Sequence, residues 1–330
     1  MRKISIIAEI GSVHDGSFGN AVRLIDAAAD AGADTVKFQT HIAEAETLPN
    51  APSPSYFAAE SRLAYFKRTA FTLEQWEAMA RHAQSLGVSF LSSPFSLEAV
   101  DLLEQVGVAA YKVPSGEVSN VPLLERLAAT GKHVLLSSGM SNWIELDRAV
   151  ELLRNAGPLT IMQCSSEYPC VPENVGLNVL KEMRDRYELP VGFSDHTLGL
   201  AAPFAAAALG ATVIEKHFTF SRLMYGSDAK HSMEPADFRV LCGGLRDIWA
   251  MLENPVNKGD NTRYSDMKRI FEKSIVSSKA IPAGATLTRD MIAFKKPGDG
   301  IPASAYRSYL GRRVRCALLA DHKFSKHDFE

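Results

Sequence analysis

Ile4-Ser-Ile-Ile-Ala-Glu-Ile-Gly11 is a short apolar run that ends on a carboxylate and a glycine, and the rest of the chain repeats its form. Seven similar runs follow: Thr35–Thr40, Ser89–Phe95, Ala110–Glu117, His133–Met140, Leu159–Ser165, Pro190–His196 and Thr212–Phe218. A segment of helical spacing follows nearly every one. After the first run, Ala21, Leu24, Ile25, Ala28 and Ala29 fall on one helical face. Eight βα units in about 220 residues are the pattern of an α/β fold, a (β/α)8 or TIM barrel. In that fold the C-terminal strand ends form one mouth. Strands buried on both faces should be nearly all apolar. Glu9, Lys37, Gln39, Ser93, Lys112, Ser115, Glu117, Ser138, Gln163, Ser165, Ser194, His196 and His217 break that rule at the strand ends, which marks them as functional.

The chain has 330 residues, enough for one barrel and a small extra domain. Lys and Arg number 36 against 38 Asp and Glu, with both signs interspersed, so no nucleic-acid surface is expected. The longest apolar runs fall short of the ~20 residues of a membrane span. Lys3 leads straight into a strand, without the apolar stretch of a secretion signal, and a cytoplasmic protein is expected. Cys164, Cys170, Cys242 and Cys316 are scattered, which argues against a disulfide framework or a structural zinc site. The barrel is assigned to residues 1–253, a linker to 254–273 and a small β-rich module to 274–330. Within that module, strands are expected at Ser274–Ala280 and Leu310–Ala317, with a short helix opening at Leu287. The long segment from His41 to Phe71, with Pro49, Pro52, Pro54, Tyr56, Phe57, Tyr65 and Phe66, is expected to wall or cover the mouth. Thr72 to Gln75 reads as a capping box for the helix after it.

His196 and His217 end neighbouring strands roughly 5 Å apart. Their imidazoles either converge on a divalent ion such as Mn2+, Mg2+ or Zn2+, or are buried histidines with hydrogen-bond partners. Asp195 is a possible acceptor behind a ligand imidazole. Lys37 and Lys112 face the barrel interior, where an unpaired ammonium is costly. Their partners are an anionic substrate or a neighbouring glutamate (Glu9 or Glu117), unless one of them forms a Schiff base. Pro114-Ser-Gly-Glu117 offers N–H groups and a hydroxyl to an oxyanion. Asp228 projects over the mouth toward a polyol, or caps a solvated loop.

As a set, several stretches resemble the N-acetylneuraminate (sialic acid) synthase family. They are Ala8-Glu-Ile-Gly11 with His14 and Gly16, Ala31 through Thr40, Ser93-Pro-Phe, Tyr111 through Glu117, Ser138-Gly-Met140, Tyr168-Pro169, Gly192 through Thr197, Glu215-Lys-His-Phe218, and Asp228 with Ser232-Met-Glu-Pro235. Lys296-Pro-Gly-Asp-Gly-Ile301 is similar to the antifreeze-like (SAF) domain that closes such enzymes. The resemblance implies condensation of phosphoenolpyruvate with the open-chain aldehyde of an N-acylated hexosamine, giving a 2-keto-3-deoxy nonulosonic acid and phosphate for a surface polysaccharide. It implies that His196 and His217 hold Mn2+ or Mg2+. It places Lys37, Ser93, Lys112, Ser115, Ser166 and Ser194 around phosphoenolpyruvate. Glu9, Gln39, Glu117, Tyr168 and Asp228 are placed on the sugar side, with Lys296 arriving from the partner chain of a domain-swapped homodimer. Glu9 or Glu117 would move protons beside Lys37 and Lys112. Val13, Ser93, Ser166 and Lys296 depart from the family pattern, and Lys296 lacks the planar fork of the usual arginine. The competing readings are a Schiff-base or metal aldolase on the same barrel and a non-catalytic sugar-binding paralogue.

Overall fold

Side chains of the eight strands alternate between two faces, and each face meets its own neighbours. The computed structural model describes residues 3–52 and 60–330. Pro54, Tyr56 and Phe57 of the long loop lie outside the described residues. Two units are seen, Met1–Asn254 and Pro255–Glu330.

The first unit opens with β1 (Ser5–Gly11), α1 (Phe18–Asp30), β2 (Thr35–Thr40), α2 (Ala43–Glu46), α3 (Arg62–Thr69), α4 (Leu73–Ser85), β3 (Ser89–Pro94) and α5 (Leu97–Val106). It continues with β4 (Ala110–Val113), α6 (Val121–Ala128), β5 (His133–Ser137), α7 (Trp143–Leu153), β6 (Leu159–Cys164) and α8 (Leu177–Tyr187). It ends with β7 (Val191–Asp195), α9 (Ala201–Ala208), β8 (Val213–His217) and α10 (Pro235–Glu253). The strands are parallel and in sequential order, and β8 closes the barrel on β1. The expected TIM barrel is the observed fold. Ile6, Ala8, Ile10, Val36 and Phe38 face outward and pack with Leu24, Ile25 and Ala28 of α1. Ile7, Leu91, Leu135, Met162 and Val213 point inward and fill the barrel axis, a layered packing of this fold. Two residues further along the same inward face stand Glu9, Ser93, Ser137, Cys164 and Glu215.

Two barrel strands are shorter than read from sequence by three residues or more. β4 stops at Val113 because Pro114 has no N–H for the ladder, and Ser115–Glu117 forms a 3-10 turn. β5 stops at Ser137. The capping box of α4 is present, with Thr72 and Gln75 each bonding the other's backbone N–H. Among the described residues no helix is long and apolar enough to cross a membrane.

The second unit contains α11 (Ser265–Phe271), β9 (Ser274–Ser277) and β10 (Ile292–Lys295), the last two paired antiparallel. Ile275, Ile281, Leu287, Ile292, Val314, Phe324 and Phe329 form its core. The segment expected as a linker is not bare chain: it carries α11, whose Arg269 carbonyl accepts from Gly298 N. The expected strand at Leu310–Ala317 is absent. Arg313 and Val314 make single bridges to Thr286 and Phe329 instead, and β10 supplies the strand that the sequence reading lacked.

Lys216 faces away from the barrel axis and is buried. It meets the Asp195 carboxylate and the carbonyls of Thr197 and Gly199, the last at 3.1 Å. Removing one partner of a buried ion pair strands the other charge. Asp195→Ala is therefore expected to lower the unfolding free energy by about 3–5 kcal/mol in denaturant titration. A loss within about 0.5 kcal/mol, the range of ordinary surface changes, would show that the pair does not hold β7 to β8.

Candidate active site

Strand register brings the inward polar residues together. Glu9 lies opposite Lys37 of β2 on one side and His217 of β8 on the other. Ser194 of β7 lies opposite Glu215. Lys112 Nζ donates to both Glu215 oxygens at 2.9 Å, and Ser194 Oγ donates to Oε1 at 3.0 Å. Lys37 Nζ is 2.8 Å from Glu9 Oε2 and 3.5 Å from Glu215 Oε1, and it donates to Ser93 Oγ at 3.3 Å. All of these side chains are buried. Burial alone would raise the Glu215 carboxyl, but the ammonium groups of Lys112 and Lys37 overrule it and hold it below the usual carboxylate range. Burial would lower the Lys37 ammonium, but Glu215 and Glu9 push it up. Of the partners considered for the lysines, the structure shows carboxylates. One is Glu9. The other is Glu215 rather than Glu117, because Glu117 lies past the end of β4 and accepts from Asn120 Nδ2 at 2.7 Å. Burial raises the Glu117 carboxyl.

A cavity of about 280 Å3 opens at the mouth. Gln39, Ser115, Ser166, Tyr168, His217 and Asp228 line it, all of them expected site residues. Two glycines mark where groups converge. A Cβ on Gly139 would stand 2.6 Å from both Ser115 Oγ and Ser166 Oγ, and Gly139 N donates to Ser115 Oγ at 3.1 Å. A Cβ on Gly11, whose φ is +54, would stand 2.7 Å from Asp228 Oδ2, 3.3 Å from Gln39 Nε2 and 3.5 Å from Glu9 Oε1. The first group gathers residues expected around phosphoenolpyruvate, and the second gathers residues expected on the sugar side. Glu9 reaches the cavity through Gln39, whose Nε2 donates to Glu9 Oε1 at 2.8 Å. Lys296 belongs to the second unit, with its Nζ 5.0 Å from the Phe271 ring centre.

The two imidazoles lie with ring centres 5.5 Å apart, and Tyr168 stacks on His196 at 4.0 Å. His196 Nδ1 is 2.7 Å from the Ser165 carbonyl and therefore carries the hydrogen, which leaves Nε2 as a lone-pair donor. His217 Nδ1 is buried without a hydrogen-bond partner among the described residues. Burial lowers both rings, which favours the neutral, ligating form. A free ring nitrogen and a tautomer fixed by a carbonyl fit a divalent ion. Among the described residues no group of three or more His, Cys, Asp or Glu could hold one, so water and substrate would complete the sphere. Asp195 is not the acceptor behind an imidazole. It lies on the outward face of β7 and pairs with Lys216. Burial raises the Cys164 thiol, which disfavours a reactive thiolate.

Sequence reasoning missed Glu215, His41 and Arg62. Glu215 is two residues before His217, and strand alternation alone places both on one face. His41 and Arg62 belong to the segment between β2 and α4, for which spacing carries no signal. His41 stacks between Phe66 and Phe95 at 3.7 and 4.0 Å and bonds Gln39 and Glu46. The long segment thus walls the cavity with Arg62, Tyr65 and Phe66.

This arrangement sets a buried floor of paired lysines and glutamates beside a polar, aromatic-walled cup. Comparisons give the family. Residues 24–257 match the NeuB family model and residues 272–330 the SAF domain. The chain belongs to the NeuB family and is an enzyme of the sialic acid synthase type. It is 37% identical to the N,N'-diacetyllegionaminic acid synthase of Campylobacter jejuni, over 94% of this chain and 96% of that protein. It is 32% identical to the human N-acetylneuraminate-9-phosphate synthase, over 96% and 90%. The crystal structure of an N-acetylneuraminic acid synthetase from Leptospira borgpetersenii in complex with citrate superposes with a TM-score of 0.73 at 29% identity, covering 81% of this chain and 90% of that one.

Buried neutral histidines make stability depend on pH. His14 is buried against Phe71 and Phe38, accepts from Gly16 N at 3.1 Å, and is lowered by burial from 6.5 to about 4. Between those values the unfolded chain binds the proton and the folded one does not, so stability is complete above pH 6.5 and falls as pH drops. The unfolding free energy is expected to fall between pH 7 and 5, with His14 alone contributing about 1.4 kcal/mol per pH unit once below 6.5. His14→Asn, which keeps an acceptor for Gly16, should flatten that slope in denaturant titrations at each pH. An unchanged slope would clear His14 of the effect.

Proposed function

We propose that the chain joins C3 of phosphoenolpyruvate to the aldehyde carbon of an open-chain N-acylated hexosamine. Water adds at C2, the C2–O bond to phosphorus breaks, and the products are a 2-keto-3-deoxy nonulosonic acid and inorganic phosphate. The observation that carries this reading is the buried Lys37–Glu215–Lys112 cluster beside the Ser115, Gly139 and Ser166 cradle. Lys37, Lys112, Ser93, Ser115, Ser166 and Ser194 supply the donors that a phosphate and a carboxylate need. Glu215 holds both ammonium groups in place. Gln39, Tyr168 and Asp228 receive the sugar hydroxyls. Glu9 sits between Lys37 and Gln39 and takes the proton part, and Glu117, kept nearer its neutral form by burial, can donate one. His196 and His217 would hold Mn2+ or Mg2+, which when bound polarises the sugar carbonyl.

An aldolase using a Schiff base needs a free amine. Lys37 is pushed further toward its charged form, and Lys112 is held by a carboxylate, so neither serves that chemistry. The SAF-like unit supports a domain-swapped dimer in which the partner's copy covers the mouth and brings the partner's Lys296 to the sugar.

Protein incubated with Mn2+ and phosphoenolpyruvate should release phosphate only when an N-acylated hexosamine is added. His217→Ala should bind no Mn2+ by calorimetry and release none, while keeping its far-UV circular dichroism. Sugar-independent release, or full activity in that variant, would refute the reading. Removing the chain from Ser274 onward should raise the KM for the sugar at least tenfold, the worth of one lost charge-assisted contact. An unchanged KM would exclude a covering role for the C-terminal unit.

A further inference from the structure

Arg62 begins α3 and lines the cavity. Its Nε is buried without a hydrogen-bond partner among the described residues. No carboxylate among them lies within ion-pair distance of its guanidinium, unlike Arg68 one helix-length on, which pairs with Asp15 and Glu60. The guanidinium lies 5.5 Å from the centre of the Phe66 ring, and Phe66 also stacks on His41. A buried donor left unmatched is costly, and a planar fork pinned on an aromatic face is a recognition element. Apart from the Phe66 ring, no partner for it is seen among the described residues, so its N–H donors are open to a ligand.

The surroundings say what kind of partner. Glu46 bonds His41 Nδ1 at 2.8 Å, and Glu117 feels both Glu46 and Arg62. One guanidinium set beside two acids is poorly suited to a sugar phosphate, whose two negative charges would meet both carboxylates. A neutral carbonyl oxygen takes the N–H donors without that penalty. Tyr65, Phe66, Phe95 and Met140 line the same cavity and offer apolar surface to an acyl methyl group.

Resting on the reading above, we propose that Arg62 selects the acceptor: its guanidinium receives the carbonyl oxygen of a second acylamino group, so the preferred acceptor is a diacylamino hexose rather than a sugar phosphate. Arg62 is thereby a specificity-determining residue, while the aldehyde end of the sugar lies with Gln39, Asp228 and His217.

The test compares a 2,4-diacetamido-trideoxyhexose, N-acetylmannosamine and its 6-phosphate, in calorimetric binding and in phosphate release, with the full-length protein and Arg62→Met. Wild type should bind and turn over the diacetamido sugar best. In Arg62→Met its Kd should rise, and its kcat/KM fall, roughly ten- to a hundredfold, the range expected for one charged hydrogen bond. The preference over N-acetylmannosamine should vanish, and the KM for phosphoenolpyruvate should hold. A wild-type preference for the 6-phosphate would overturn the proposal, as would an equal loss for all three sugars. Selective binding lost in the variant, with no phosphate release from wild type, would uphold the role of Arg62 while refuting the condensation. Arg62→Lys, which keeps the charge without the fork, guards against a variant that misfolds and should restore only part of the selectivity.

Discussion

The barrel centre depends on one carboxylate. Glu215 stands between two ammonium groups, with Ser194 on its third side, inside a layer where water has been removed. Desolvating such ions costs several kcal/mol each, and only close pairing offsets it. Glu9 supplies the second negative charge, so two lysines face two glutamates and the layer is neutral overall. That balance lets a barrel keep two buried ammonium groups at its centre without unfolding around them. It also fixes where the floor's hydrogen-bond capacity remains. Lys37 divides its contacts among Glu9, Glu215 and Ser93, whereas Lys112 meets only Glu215 among the described residues.

Above that layer the backbone does the placing. Gly139 and Gly11 stand where side chains of several strands and loops crowd one point, so a methyl group at either would occupy the space those groups share. At Gly11 the positive φ turns the chain after β1, and beyond the turn Ser12 N lies 3.5 Å from Asp228 Oδ2. The polar groups therefore converge because two backbones pass close by, not because their side chains are long.

Much of this was legible in the sequence, and the reasons for the rest are physical. Eight apolar runs ending in Glu9, Lys37, Lys112, His196 and His217 announce a barrel and its mouth, since such side chains are costly at buried strand ends unless a partner or a ligand meets them. Glu215 was equally legible by strand alternation, but both of its partner lysines lie more than a hundred residues away, and the sequence does not announce that pairing. Asp195 was misread because its neighbour His196 drew attention, although the same alternation turns one inward and the other outward. Arg62 and His41 lie in an irregular segment, where position follows from tertiary contacts alone. In the C-terminal unit β9 and β10 have four residues each and the other pairings are single bridges, too short for period-two patterning to register.

Alternation also explains how two imidazoles can be aimed together without direct contact between them. On the inward face of β7 and β8, Ser194 is bonded to Glu215; on the outward face, Asp195 is bonded to Lys216. Ladder register pairs the same residues, Ser194 with Glu215 and Asp195 with Lys216. A slip of one residue would place Glu215 opposite Asp195 and bury two carboxylates against each other, with Lys216 left unpaired. The strands are thus locked from both sides just before His196 and His217 emerge. Thr197 N, donating to Asp195 Oδ1 at 2.8 Å, ties down the first residue beyond. Charges that never face the cavity in this way set the separation of the two groups that do.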